Sequence, residues 1–296
     1  MRRYEESELI LNGDGSIFHL HLLPEHIADH VILVGDPDRV DMIAEFFSGI
    51  RCKIRNREFY TVTGTFNGKE ITVISTGIGT DNIDIVINEL DALVNIDLKT
   101  RTDFVAKRQL TIFRIGTSGA IQPDIPPGSI IASQYALGFD GLLNFYQERD
   151  NVSNPDIEES FIEQTSWSSR FPSPYICMCS PELIERFREF TIQGITISAN
   201  GFYGPQGRDL RARLAFPELN KKLMEFRYND IRITNFEMEG SAIYGLSAIL
   251  GHRALTICLV IANRENKKFL QDYKKSMKIL VERCLNTISK ISSDEG

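Results

Sequence analysis

The stretch IFRIGTSGAIQPDIPPGSII, residues 112–131, decides how the chain is read. It opens apolar and β-branched, as a buried strand does. Arg114 stands just before Gly116-Thr117-Ser118-Gly119, which reads as a turn, and an apolar run resumes at Ile130. A charge inside an apolar strand is costly unless it is paired. Either Arg114 meets a buried carboxylate for structural reasons, or it waits at the strand mouth for an anion from solution. The stretch itself favours neither.

Similar runs recur outward from it: HVILVG (30–35), ITVIST (71–76), LTIFRIG (110–116), GSIIASQYAL (128–137), GITISAN (194–200) and ALTICLVIAN (254–263). Nearly continuous runs of this kind fit strands covered on both faces. Helical spacing separates them. Ile83, Val86, Ile87, Leu90, Leu93 and Val94 share one face of a helix over 80–94, with Thr80, Asp81 and Asn82 as cap candidates. A second helix is expected from about Met238, and a third from about Asn266 to Ser289. Strands alternating with helices indicate a three-layer α/β fold. No linker or repeat divides it, so residues 1–296 read as one domain. Two polar stretches, 97–109 and 144–175, read as surface additions, the second as a flap.

Composition narrows the partners. The 33 Lys and Arg against 40 Asp and Glu leave a net charge of -7, which repels nucleic acid at long range. Any anion must be held by locally placed arginines. Cys52, Cys177, Cys179, Cys258 and Cys284 are odd in number and form no CxxC pair, against a disulfide framework or zinc site. They read as reduced thiols of a cytoplasmic protein. MRRYEESELI carries no apolar signal segment, and the longest apolar run, 254–262, suits a buried strand rather than a membrane span.

Four motifs in five places carry candidate chemistry. VGDPDRV (34–40) puts Gly35 and Arg39 beyond a strand, where open α/β sheets bind ligands. IGT occurs at 78–80 and 115–117 without Walker or GxGxxG spacing, so no nucleotide triphosphate or dinucleotide is indicated. NFEMEGSAIYGL (235–246) opens a helix with Glu237 and Glu239. These are either ordinary helix-start carboxylates or a grip for paired hydroxyls such as those of a ribose. NGFYGPQGRDLR (200–211) offers Phe202, Gln206 and Arg208, able to stack on a nucleobase and read its edge, or to form only a polar turn.

Together, FHLHL, VGDPDRV, NREFY, STGIG, FRIGTSGAIQPDIPPGSII, GFYGPQGRDLR, NFEMEGSAIYGL and LVIANR stand in the order found in the nucleoside phosphorylases. The resemblance spans 17–290 and is nearest to the uridine-cleaving members. It implies a central mixed, twisted sheet or partial barrel flanked by helices. It also implies phosphorolysis of uridine or deoxyuridine to uracil and the sugar 1-phosphate. By the same resemblance Gly35, Arg39, Arg114 and Thr117 hold phosphate, joined by Arg57 from a neighbouring subunit. Met238 and Glu239 clamp the ribose, with His19 reaching its 5′-hydroxyl across a dimer. Phe202, Gln206, Arg208 and Arg264 form the base pocket, and Arg114, Glu239, Gln206 and Arg208 carry catalysis. A homo-oligomer is implied, a dimer at least and a hexamer by the bacterial pattern.

No cofactor is implied beyond phosphate as co-substrate. Bacterial dimers of this family can hold potassium with a glutamate, an isoleucine carbonyl and a serine; Glu58 and Ile78 match, and Asn82 replaces the serine. Asp81, beside Thr80, would repel phosphate. The alternatives on the same fold are a purine nucleoside phosphorylase and a hydrolytic nucleosidase. Ala262-Asn263 stands where bacterial purine enzymes carry Ser-Asp, and the arginines at 39, 57 and 114 are those that hydrolytic relatives lack. A nucleoside-binding protein without turnover is the reading from another class.

Overall fold

A computed structural model describes residues 2–292. The expected runs form β1 (His30–Val34), β4 (Lys69–Ser75), β5 (Thr111–Ala120), β6 (Ile130–Gly138), β8 (Ile192–Ser198) and β10 (Arg253–Asn263). Four strands went unread: β2 (Gly49–Asn56), β3 (Phe59–Phe66), β7 (Tyr175–Met178) and β9 (Ile231–Glu237). β2 is an edge strand whose side chains, Cys52 apart, are exposed or half-buried, so it has no apolar signature. The longer helices are α1 (Pro37–Ala44), α2 (Thr80–Asn95), α3 (Pro155–Thr165), α4 (Pro181–Phe187), α5 (Leu219–Glu225), α6 (Gly240–Ile249) and α7 (Tyr273–Ile288).

The main path of the sheet runs β9-β8-β6-β10-β5-β1-β4-β3-β2. β5 lies parallel to β1 and β10, whereas β10 meets β6 antiparallel, so the sheet is mixed. β9 also returns antiparallel to β5 through Asn235 opposite Ala120 and Phe236 opposite Gly119. That pairing closes β5, β10, β6, β8 and β9 into a five-stranded barrel, with β1, β4, β3 and β2 extending from it. Helices flank the sheet: α1 packs on β3 and β4, α7 on β10, and α6 on β6, β10 and α2. The α/β architecture expected from the sequence is present. No helix among the described residues is long and apolar enough to cross a membrane.

Several local expectations are corrected. Gly116-Thr117-Ser118-Gly119 is not a turn; β5 runs through it to Ala120. Gly116 makes room. A Cβ on Gly116 would lie 1.7 Å from Nη1 of Arg114, so the glycine admits the guanidinium that its neighbour carries on the same face. The second helix begins at Gly240, and Asn235 to Glu237 still belong to β9. The third begins at Tyr273, because Lys268–Phe269 pairs with Ala262 and Asn263 at the end of β10. The segment 144–175 is not a flap. α3 buries Ile157 and Phe161 in a second apolar cluster with Phe139, Phe226 and Phe236, and Tyr175 enters β7. Segment 97–109 is pinned as well, with Arg108 donating to Asp29 at 2.6 Å and to the carbonyl of Ile27 at 3.1 Å.

Candidate active site

The carboxyl ends of β1, β4, β5 and β9 and the loop after β8 converge on one cavity of about 960 Å³. Gly35, Arg39, Arg114, Thr117, Phe202, Gln206, Arg208, Met238 and Glu239 all line it. The lining brings together residues up to 234 positions apart, from Gly35 to Phe269.

At one end lie two buried guanidiniums. Arg114 donates through Nη2 to Oε2 of Glu239, and its Nε lies 3.5 Å from Oε2 of Glu237. Nη1 of Arg114 is buried without a hydrogen-bond partner. Burial alone would lower the pKa of Arg114, but the charges of Glu239 and Glu237 outweigh it and hold the arginine firmly protonated. Both readings of Arg114 therefore meet here: it is paired, and one of its nitrogens is left over. Arg39 has no ion-pair partner within 4 Å among the described residues, although the charge of Asp36 acts on it. Its side chain makes one hydrogen bond, Nη1 to the carbonyl of Ile115 at 3.3 Å. Burial, then the nearby charge of Arg114, pull its pKa down. An uncompensated buried cation is costly, and an anion is its natural complement.

Glu237 and Glu239 divide their labour. Glu237 ends β9 and caps α6, accepting from the backbone N–H groups of Glu239 and Gly240, each at 2.9 Å. Ser198 donates to it as well. It is thus a buried structural carboxylate. Glu239 accepts from the N–H of Gly79 at 2.8 Å and from Arg114, and like Glu237 it lines the cavity, but its side chain caps no helix. Burial raises its pKa, Arg114 opposes that, and Glu237 adds to it.

The other end is built on Gln206, which is 3% exposed. Its Oε1 accepts from Nη1 of Arg208 at 2.8 Å and from Nη2 of Arg264 at 2.7 Å. Two cations on the oxygen orient the amide, leaving its NH₂ as the group with donors to spare. The guanidinium carbon of Arg208 stands 3.6 Å from the ring centre of Phe202, which is half exposed over the cavity. Arg264 stacks on Phe236 at 4.8 Å, behind Gln206 and off the cavity wall. Burial, then Arg208, lower its pKa to about 10.

Two expected site residues lie apart from this cavity within the chain. His19 Nδ1 is 2.7 Å from Glu89, and Arg57 stacks on Phe18 at 5.5 Å. Asn56 ties the pair together by donating to the carbonyl of His19 at 2.8 Å. They form a single patch at the β2–β3 turn, where Arg57 has a positive φ of 53°. At the altered turn, Thr80 is buried, Asp81 is exposed and Asn82 is half-buried. Glu58 and Ile78 are exposed. Asp36, Ser118, Ile261 and Phe269 line the cavity but were assigned no role from sequence. Phe269 was hidden because 266–289 reads as one helix. Ser118 was hidden because its stretch reads as a turn.

The chain is similar to known proteins along nearly its whole length. A uridine phosphorylase of Thermococcus kodakarensis is 29% identical over 293 residues, covering 98% of this chain and 93% of that protein. One from Haemophilus influenzae is 28% identical over 85% of this chain and 88% of its own length. The crystal structure of a Trypanosoma brucei nucleoside phosphorylase with uridine phosphorylase activity superposes with a TM-score of 0.82 at 29% identity, covering 95% of this chain and 98% of that one. The model of the phosphorylase superfamily matches residues 29–287, the whole span from β1 to the last turn of α7. A barrel whose mouth carries paired arginines, matched from end to end by that model, places this chain in the phosphorylase superfamily.

Proposed function

We propose that this chain is a nucleoside phosphorylase that cleaves uridine with inorganic phosphate, giving uracil and ribose 1-phosphate. The observation that carries the reading is Arg39: a buried arginine that forms no ion pair among the described residues, near Arg114, whose Nη1 is unpartnered among them. Water as nucleophile gives no use to this surplus charge. Phosphate does. The uridine phosphorylase activity of the Thermococcus and Trypanosoma relatives supports the same choice.

In this reading Arg39, Arg114, Gly35 and Thr117 hold phosphate below the sugar. Proximity and neutralisation of the nucleophile supply much of the rate. Glu239, with Met238 beside it, grips the ribose hydroxyls and favours positive charge developing on the sugar. The NH₂ of Gln206 and the guanidinium of Arg208 meet the base and stabilise negative charge as it departs, with Phe202 on its face. No cofactor enters the reaction. The purine alternative is disfavoured by Asn263. Its Nδ2 donates to the carbonyls of Gln122 and Ile125 at 2.8 and 2.7 Å, and its Oδ1 accepts from the N–H of Asn266 at 2.9 Å. It is spent on the barrel rim and is no acid for a purine ring.

His19 and Arg57 complete the site from a second subunit in this proposal, one patch supplying both. The assembly is a dimer at least. The cytoplasm is the proposed compartment, where five buried free thiols stay reduced, and nucleoside salvage or breakdown is the proposed role.

The test is release of free base from uridine, with and without phosphate, with inosine in parallel. Uracil appearing only with phosphate supports the reading. Release without phosphate means a nucleosidase, and turnover of inosine alone means a purine enzyme. Two variants refine it. Arg39→Met is expected to raise the KM for phosphate by about 10- to 100-fold, the size of one lost hydrogen bond to a charged group. Its melting temperature without phosphate should fall little, because Arg39 has no ion-pair partner among the described residues and gives up one long hydrogen bond to the carbonyl of Ile115; a large fall would give Arg39 a structural role. Gln206→Ala should narrow the ratio of kcat/KM between uridine and cytidine by about tenfold, the worth of one base-edge hydrogen bond. An unchanged ratio would remove Gln206 from base recognition.

A further inference from the structure

Beyond the loop that carries Gln206 lies a second cavity, of about 670 Å³, within the size range of small-molecule sites. Its wall is aromatic. Trp167 packs on Phe139 at 4.6 Å and on Phe171 at 4.7 Å, and Phe171 meets Phe216 at 4.7 Å. The charged residues on that wall are Arg170, Arg208 and Arg213, with no aspartate or glutamate among the lining residues. In a chain of net charge -7 this is a local reversal of sign. Arg213 is bridged to Asp209 at 3.0 Å, but neither Arg170 nor Arg208 has an ion-pair partner among the described residues. Rings that can stack and guanidiniums that can fork onto an oxyanion define one ligand chemistry.

Arg208 lines both cavities. One of its nitrogens donates to Oε1 of Gln206 and to the carbonyl of Phe202. Gly207 separates the two residues with a φ of +69°, and a Cβ there would strike the side chain of Asn220 at 2.2 Å. The joint between base pocket and second cavity is therefore a left-handed turn that favours glycine.

We propose that the second cavity binds a small aromatic anion, such as an aryl carboxylate, and that its occupancy weakens nucleoside binding by drawing Arg208 away from Gln206. Phosphate affinity is untouched, because Arg39 and Arg114 lie at the far end of the first cavity. The inference takes from the proposed function only the placing of the base at Gln206.

The chain has a single tryptophan, Trp167, on this wall, so its fluorescence reports occupancy without any turnover. In the full-length protein, 4-iodobenzoate should quench it saturably. Neutral 4-iodobenzamide should bind about tenfold more weakly or worse, having no charge for the arginines. Saturating uracil should weaken the anion by a finite factor, about tenfold, the anion should weaken uracil by that same factor through reciprocal coupling, and the KM for uridine should rise as well. The exposed double variant Arg170→Gln, Arg213→Gln should lose anion affinity with unchanged turnover in its absence. No quenching, or equal binding of the amide, overturns the site. Complete competition by uracil, without a plateau, places the anion in the base pocket and also overturns it. Quenching with an unchanged KM for uridine overturns the coupling. A protein that binds the anion but never turns over uridine retains the site and loses only the proposed reaction.

Discussion

Arg114→Ala is expected to lower phosphate-dependent kcat/KM for uridine by about 10³, the range seen when one oxyanion-stabilising donor is removed. It should also lower the melting temperature. Glu237 and Glu239 are buried, and the arginine is their common counter-ion. Breaking a buried pair by removing one partner costs roughly 3–5 kcal/mol. The two losses must be separated, because a merely structural arginine would also produce the second. Arg114→Lys does so. Lysine keeps the positive charge near both carboxylates but replaces a planar fork by a point donor. It should restore most of the melting temperature and still leave kcat/KM down at least about tenfold, mostly in the KM for phosphate. A folded Arg114→Ala variant that keeps its phosphate dependence would reduce the residue to a carboxylate partner.

The residue that opened the reading was legible only in part. An arginine in an apolar strand announces that a negative charge is near, yet one sequence cannot say whose. The structure contains both candidates, the carboxylates on Nη2 and Nε and an unpartnered Nη1. The strands with continuous apolar runs were legible because burial on both faces writes itself into composition. Edge strand β2 was not, since half its side chains face solvent and match a loop in polarity. Gly116 and Gly119 misled for a related reason. Glycine marks a turn or a close approach equally well, and here Gly116 accommodates the side chain of Arg114. The excursion at 144–175 misled through its surface: α3 hides Ile157 and Phe161 behind a polar face, and its Pro and Asn residues are helix-start signals as much as loop signals. The division between Glu237 and Glu239 was out of reach of the residue pattern, and only the family resemblance singled out Glu239. Two residues apart, they are told apart only by which of them caps α6.

That division sets the second large expectation, at Glu239. Glu239→Ala should lower kcat/KM for uridine by about 10²–10⁴, as expected for two hydroxyls each losing a hydrogen bond to a charged group worth about 1.5–3 kcal/mol. The loss should shrink with 2′-deoxyuridine, which has one hydroxyl fewer to lose. Glu237→Ala is a contrasting control: it strips the cap from α6 and should chiefly lower the melting temperature. Coupling to Arg114 gives a sharper check. The two side chains share one ion pair, so their effects should not add. The double variant Arg114→Ala, Glu239→Ala should turn over within about tenfold of the worse single variant, since each single change already disables the same unit. It should also melt above Arg114→Ala, because one of the two stranded carboxylates is gone. Fully additive losses in kcat/KM would mean that Arg114 and Glu239 act on phosphate and ribose independently, and that their buried contact serves the fold rather than the reaction.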